Sequence, residues 1–186
     1  LDKTTARIGR EDGDIDISFE AAVVGSGSRQ ITVRDYDFDG ERVRDCRSAL
    51  SLSEVPEDIV VVGGGYIGME LSTVFARLGS DVTVVEMLDQ ALSAYDDDLT
   101  RPVVSRLRDR GVSFEFGEAA LDWRDNGDDI TVFTEMDDGS LAEYDADCVL
   151  VAVGRTPVTD GLGLDAVGLS TTERGFLETD AYGRTD

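Results

Sequence analysis

Histidine is absent from this chain of 186 residues. That excludes a metal site built on imidazole, a Ser-His or Cys-His nucleophile and any histidine acid–base dyad assembled from this chain alone. Lysine is nearly absent too. Lys3 is the only one, and 40 aspartates and glutamates face 17 basic residues for a net charge of -23. Such a field repels phosphodiester backbones and anionic headgroups, which argues against nucleic acid or membrane as a partner. It is also the surface of a protein suited to concentrated salt, where screening removes the self-repulsion and dense carboxylates hold water, so the chain reads as halophilic. Cysteine occurs twice, at Cys46 and Cys148, with no local spacing of a redox pair or a metal motif. Cys148, in the apolar run Cys148-Val149-Leu150-Val151, reads as a buried structural thiol. No metal site is expected. No apolar run is long enough to span a bilayer, and no basic n-region with an apolar h-region opens the chain, so a cytoplasmic protein is expected.

What the chain does carry is a glycine turn set between a strand and a helix. Ile59-Val60-Val61-Val62 reads as a buried strand, Gly63-Gly64-Gly65-Tyr66-Ile67-Gly68 as a turn opening a helix over Tyr66 to Leu78, and Asp81 to Glu86 as a second strand ending on an acid. Gly63 permits the tight turn. Gly65 lets a dinucleotide pyrophosphate approach the backbone with no Cβ in the way, and Gly68 lets the helix pack closely on the sheet. The phosphates are expected on unpaired N–H groups at the amino end of the helix, where the macrodipole favours an anion without any basic side chain. Glu86 stands 18 residues after Gly68, where a carboxylate accepts hydrogen bonds from the adenosine ribose. It repels a 2′-phosphate, and Met87, Leu88 and Asp89 offer no cation to offset that, so NAD is expected over NADP.

The organisation is α/β, a Rossmann-like parallel sheet with an inserted antiparallel three-stranded meander. Residues 56–157 read as one nucleotide-binding domain. A helix over Asp97 to Arg110 starts on Asp96-Asp97-Asp98 and ends on Arg106, Arg108 and Arg110, as the macrodipole prefers, and the triple Asp reads as a capped start on a salt-adapted face. Val112 to Phe116 is the third parallel strand. Ala120 to Arg124, Ile130 to Glu135 and Leu141 to Tyr144 then read as hairpin-linked strands around Asn126-Gly127-Asp128 and Asp137-Asp138-Gly139, before a return strand at Cys148 to Ala152. Residues 36–55 read as a crossing linker. Residues 1–35, with an apolar strand at Phe19 to Val24, and the loop-rich residues 158–186 read as parts of a second domain.

Val61-Val62-Gly63-Gly64-Gly65-Tyr66-Ile67-Gly68-Met69-Glu70-Leu71, then Val84-Val85-Glu86, the meander, and Val151-Ala152-Val153-Gly154-Arg155-Thr156-Pro157 resemble the NAD domain of the pyridine nucleotide-disulfide oxidoreductases. The likeness is greatest to the dihydrolipoamide dehydrogenase branch, especially its salt-adapted archaeal members, and covers nearly the whole chain. Arg42 to Pro56 resembles the family's linker into the NAD domain, and Ala22-Val23-Val24-Gly25-Ser26-Gly27-Ser28-Arg29 resembles the turn closing its first FAD segment, departing from it at Gly25 and Ser26. The flanks, residues 1–35 and 158–186, then become partial FAD-domain segments.

The resemblance implies a flavoenzyme in which a dithiol reduces an enzyme disulfide, the disulfide reduces FAD, and the flavin passes a hydride to NAD. It gives Gly63, Gly64, Gly65, Tyr66, Ile67 and Gly68 to the pyrophosphate and Glu86 to the ribose. Ala120 is placed by the adenine and Gly154 on the nicotinamide side. Glu70 matches an acid near the isoalloxazine that pairs with a lysine of the FAD domain; as an unaided first-turn acid it is also favoured by the helix dipole alone. Ser26, Gly27 and Ser28 would touch FAD in a completed protein. The family's Cys-x4-Cys disulfide, its amino-terminal FAD fingerprint, its second FAD motif and its His-Glu dyad are not in this sequence. No catalytic residue is therefore assigned beyond Glu70 as a candidate, and the chain is expected to bind NAD(H) but to need the remaining FAD and dimerisation domains for turnover. Alternatives are the NAD module of a mercuric reductase-like or soluble transhydrogenase-like relative, or a non-catalytic dinucleotide-sensing domain on the same fold.

Overall fold

Residues 59–62 alternate their side chains between two buried layers, as a strand inside a covered parallel sheet must. Ile59 and Val61 face one core cluster, Val60 and Val62 the other, and none is more than 4% exposed. The structure is a computed structural model that describes residues 4–33 and 36–185. Residues 1–3, 34–35 and 186, which fall within the expected flanking segments, lie outside the described residues.

In chain order the elements are β1 Thr5–Ile8, β2 Ile15–Ser18, β3 Ser28–Gln30, β4 Val43–Arg44, α1 Cys46–Ala49, β5 Asp58–Val62, α2 Tyr66–Leu78, β6 Asp81–Glu86, α3 Asp97–Arg108, β7 Ser113–Phe116, β8 Glu118–Asp125, β9 Ile130–Met136, β10 Leu141–Ala146, β11 Cys148–Val151 and β12 Arg155–Pro157. The chain divides into two compact units, Gln30–Gly154 and a flanking unit made of the segments up to Arg29 and from Arg155 onward.

Within Gln30–Gly154 a five-stranded sheet has the order β4-β11-β5-β6-β7, and each neighbouring pair is parallel. One face is covered by helices. Met69, Leu71 and Phe75 of α2 and Leu107 of α3 pack on Ile59, Val61, Val82, Val84, Phe114 and Leu150. The other face is covered by the three-stranded antiparallel sheet β10-β9-β8, whose Ala120, Ile130, Val132 and Ala146 pack on Val60, Val62, Val85, Val149 and Val151. The meander therefore forms as the sequence suggests. Its turns sit where Gly127 and Gly139 take positive φ, 98° and 81°, which glycine adopts at little cost.

Helix α2 has the expected bounds because Gly79, at φ 104°, stops it and donates its N–H to the Phe75 carbonyl. Helix α3 ends at Arg108, short of the expected Arg110. Asp96 occupies its N-cap position, but the carboxylate makes no capping bond, so the expected capped start reduces to the favourable charge of Asp97 and Asp98 in the first turn. Cys148 is 3% exposed, and burial pushes its thiol up, partly opposed by Arg44, as a structural thiol requires.

Two other expectations are corrected. Residues 36–55 do more than link: Asp39 Oδ1 accepts the N–H groups of Glu41, Arg42 and Val43 at 2.8, 2.9 and 2.8 Å, turning Val43 into the sheet as its edge strand. Asp45 then caps α1 through a reciprocal pair of bonds with Ser48. In the flanking unit, Phe19 to Val24 is not a strand. Phe19 is half-buried but Val23 is 97% and Val24 49% exposed, so the end of this run packs on no layer among the described residues. The strands there are instead the hairpin β1–β2, around Gly13 at φ 119° and with an Arg7–Asp16 ion pair at 2.8 Å. Residues 158–186 contribute a 3-10 turn at Leu164–Val167 and a bridge between Thr171 and Leu177.

Candidate functional site

Strand β5 leaves the sheet between β11 and β6. The chain runs from β5 outward through β6 to β7, and β11 returns on the opposite side. The carboxyl end of β5 is thus the point where the strand order reverses, where open parallel sheets leave a crevice for ligands. Gly63 makes the turn there. Its φ is 107°, its N–H donates to the Val85 carbonyl at 2.8 Å, and a Cβ on it would lie 2.7 Å from the Ala152 oxygen.

The other glycines answer different constraints. A Cβ on Gly68 would lie 2.0 Å from the Gly63 oxygen and 3.4 Å from Val61 Cγ1, so Gly68 packs first on the turn and only then on the sheet. Gly65 is the N-cap of α2, with φ -70°, no side-chain cap, and, its chain neighbours apart, no atom of the described residues within 4 Å of the place a Cβ would occupy. This is an opening on the amino end of a helix whose first-turn N–H groups have no side-chain cap. Gly64 is crowded instead. A Cβ there would meet Ala91 Cβ at 3.2 Å and Glu86 Cγ at 3.3 Å, a requirement the fingerprint leaves unspecified at this position.

Glu86 ends β6 half-buried beside the loop. Its Oε2 accepts the Gly64 N–H at 2.7 Å and its Oε1 the Leu88 N–H at 2.9 Å. The expectation aimed this carboxylate at a ribose; in the structure its bonds fix the glycine loop. An ionised carboxylate has about four acceptor directions, so each oxygen retains capacity for a further donor. Met87 and Leu88, the next residues, are exposed.

Ala120 and Gly154 flank the same sheet differently. Gly117 donates its N–H to the Leu88 carbonyl at 3.0 Å, and three residues on, Ala120 turns a 9% exposed side chain into the cluster with Val62 and Val85. Gly154, at φ 130°, follows Ala152 and Val153, and its carbonyl accepts the Ile31 N–H at 3.0 Å. Tyr66 and Glu70, one turn apart on α2, line a groove of about 330 Å³ with Tyr95, Leu99 and Val103. Glu70 is exposed, and among the described residues it has no ion-pair partner. Ile67 is half-buried against the core beneath α2.

In the flanking unit, Gly27 takes φ 79° and its carbonyl accepts the Val158 N–H at 3.0 Å. Ser28 Oγ accepts from Arg155 Nε at 2.8 Å, and Ser26 is exposed.

Two residues that sequence reasoning missed complete the loop. Ala91, 1% exposed, presses on Gly64, and Leu92 donates its N–H to the Gly64 carbonyl at 2.8 Å. Leu92 does so at φ 56°, as the one non-glycine residue with positive φ among the described residues. No sequence signal marks a leucine for that conformation.

A glycine turn at the reversal point of a parallel sheet, with an acid closing the next strand, is the architecture of the Rossmann class. The family is given by comparison: residues 1–186 match the pyridine nucleotide-disulphide oxidoreductases, and the chain belongs to that family. It is 54% identical over 174 residues to a dihydrolipoyl dehydrogenase of Halobacterium salinarum, covering 94% of this chain and 37% of that protein. Among solved structures it is similar to LpdA from Mycobacterium tuberculosis, with TM-score 0.84, 28% identity and coverage of 96% of this chain and 38% of that one. It is also similar to the water-forming NADH oxidase from Lactobacillus brevis bound to NADH, with TM-score 0.73, 28% identity and coverage of 92% and 38%. The chain thus spans about two-fifths of the length of these relatives. The fold is that of the flavoprotein disulfide reductases, and halophilic archaeal dihydrolipoyl dehydrogenases are among its relatives. Among the described residues no helix is long and apolar enough to cross a membrane.

Proposed function

We propose that this chain seats NAD(H) on the Gly63–Gly68 turn as the nucleotide-binding part of a dihydrolipoyl dehydrogenase-like flavoenzyme. The observation that carries the reading is the opening at Gly65, an unfilled Cβ position on the amino end of α2 and beside the half-buried Glu86. A pyrophosphate fits there because main-chain N–H groups and the helix dipole stabilise an anion at close approach. In that pose Glu86 accepts from the adenosine ribose with its remaining lone pairs and repels a 2′-phosphate, which favours NAD over NADP. The backbone near Ala120 borders the adenine, and Gly154 leaves the nicotinamide side free of a side chain. Glu70 stands on the same end of α2, where its carboxylate is available to a cation of the FAD domain.

When bound, the dinucleotide supplies the acceptor for a hydride delivered by reduced flavin. This chain's own residues bind and orient it. At Ser26, Gly27 and Ser28 the fit to FAD is partial, because the Ser28 hydroxyl is held by Arg155 and the Gly27 carbonyl by Val158; no step is derived there. In this reading residues 56–157 are the NAD-binding domain, residues 36–55 lead into it, and residues 1–35 and 158–186 belong to an FAD domain. A dithiol substrate, the remaining domains of a flavoenzyme and a cytoplasmic setting belong to this proposal, which leans on the likeness to a dihydrolipoyl dehydrogenase of which the chain covers 37%.

The test is calorimetric titration of the chain with NADH and with NADPH in multimolar KCl, with a flavin absorbance scan of the same sample. Saturable NADH binding with much weaker NADPH binding is the expected result. A folded chain that binds neither, or binds NADPH as well as NADH, defeats the assignment.

A further inference from the structure

The peptide linking Gly64 to Gly65 is pinned from outside the loop. Its carbonyl accepts the Leu92 N–H at 2.8 Å. A trans peptide is planar with its C=O and N–H directed oppositely, so a Gly64 carbonyl turned toward Leu92 sends the Gly65 N–H the other way, to the side where, its chain neighbours apart, no atom of the described residues lies within 4 Å of the Gly65 Cβ position. The preceding peptide is held in the same manner. Gly64 donates its own N–H to Glu86 Oε2 at 2.7 Å, so the two sides of Gly64 are fixed by the last residue of β6 and by the segment that follows it.

Leu92 makes its bond from φ 56°, a conformation disfavoured for L residues other than Asn and Asp. Such geometry persists where the surroundings over-determine it, and it concentrates at functional sites. Here Ala91 is buried against Gly64, the Leu92 side chain packs on the core, and the Leu92 carbonyl accepts the Tyr95 N–H at 2.9 Å. We infer that Leu92 is a positioning residue for the nucleotide: its left-handed backbone holds the Gly64 carbonyl inward and thereby presents the Gly65 N–H to the pyrophosphate. The inference rests on the proposed NAD(H) seat and adds to it a residue outside the glycine fingerprint.

Backbone positioning and side-chain packing give opposite orders at this position. Glycine and asparagine accept positive φ readily but remove the apolar side chain, whereas valine keeps an apolar side chain and, being β-branched, resists the left-handed region. NADH titrations of the whole chain carrying Leu92→Gly, Leu92→Asn or Leu92→Val, each with its melting temperature, separate them. The expected result is a loss of no more than about threefold for Leu92→Gly and Leu92→Asn and of about tenfold or more for Leu92→Val, an order that does not follow the melting temperatures. Greater losses for Gly and Asn than for Val, or equal affinities throughout, would overturn the positioning role while leaving the NAD(H) seat intact. A folded wild-type chain that does not bind NADH overturns both.

Discussion

Gly63 and Ala152 touch through their main chains: a Cβ on Gly63 would stand 2.7 Å from the Ala152 carbonyl oxygen. The turns leaving two adjacent parallel strands therefore share one space, and the residue that makes room has φ 107°. Gly63→Ala meets backbone on one side and an unfavourable φ on the other. We expect it to destabilise the fold by about 2–4 kcal/mol, seen as a lower urea midpoint. An unchanged midpoint would mean that the two turns separate at little cost.

Gly65→Val should behave in the opposite way. At φ -70° with open space around the Cβ position, a side chain is accommodated, and stability should change by less than about 1 kcal/mol. NADH affinity should fall below detection in the same titration, since the branched side chain fills the place of the pyrophosphate. Retained affinity would remove the phosphates from this loop.

Glu86→Arg tests charge and scaffold together. It removes the repulsion toward a 2′-phosphate but also the acceptor for the Gly64 and Leu88 N–H groups. The expectation is a loss of NADH affinity of more than about tenfold and a ratio of NADH to NADPH affinity shifted toward NADPH, without a gain in absolute NADPH affinity comparable to the NADH lost. An unchanged ratio would take Glu86 away from the ribose.

Ser72 offers a simpler case. Its side chain on α2 is fully buried and its hydroxyl has no hydrogen-bond partner among the described residues. Ser72→Ala removes an unsatisfied polar group at nearly constant volume and should stabilise the fold by about 1 kcal/mol, measured by urea denaturation. A loss of stability would reveal a bond that the hydroxyl makes in solution.

Asp45 carries a pH signature. Burial raises its pKa, but hydrogen bonds from the Ser48 backbone and hydroxyl, together with the Arg47 N–H and charge, outweigh that and leave the carboxyl below its usual value. A carboxyl depressed by folding contributes stability that is complete above its unfolded pKa and is lost as pH falls through the folded one. Asp45→Ala should cost about 1 kcal/mol at neutral pH, and the gap to wild type should close in acid, below the ordinary carboxylate range. A gap that stays constant with pH would show that the cap does not depend on ionisation.

The residues that declared themselves in the sequence were those whose structure follows from near neighbours. Val62 to Gly68 and the Gly79 stop fix α2 locally, and Asn126-Gly127 and Asp138-Gly139 fix the meander turns. Strand β4 was hidden because a strand of two residues, Val43–Arg44, has no period. What holds it near the sheet is remote in sequence: Arg42 donates to the Asp147 carbonyl at 2.8 Å, and Tyr36 to that of Asp122 at 2.7 Å. Phe19 to Val24 misled for the converse reason, since an apolar run becomes a strand only where a partner awaits it. At the site, the glycine spacing carried Gly63, Gly65 and Gly68, while the crowding of Gly64 by Ala91 and the backbone of Leu92 exist only after β6 has been laid beside β5.

The proposed seat at Gly65 is lined by peptide dipoles and one carboxylate, with no Lys or Arg in the loop. Contacts between mobile side-chain cations and a diphosphate weaken steeply as added ions compete for both, whereas short bonds from a fixed main chain are lost far less to screening. In a molecule of net charge -23 this makes brine an ally: dissolved cations quiet the long-range repulsion that meets an incoming anion, and the groups that finally grip it are those that brine disturbs least.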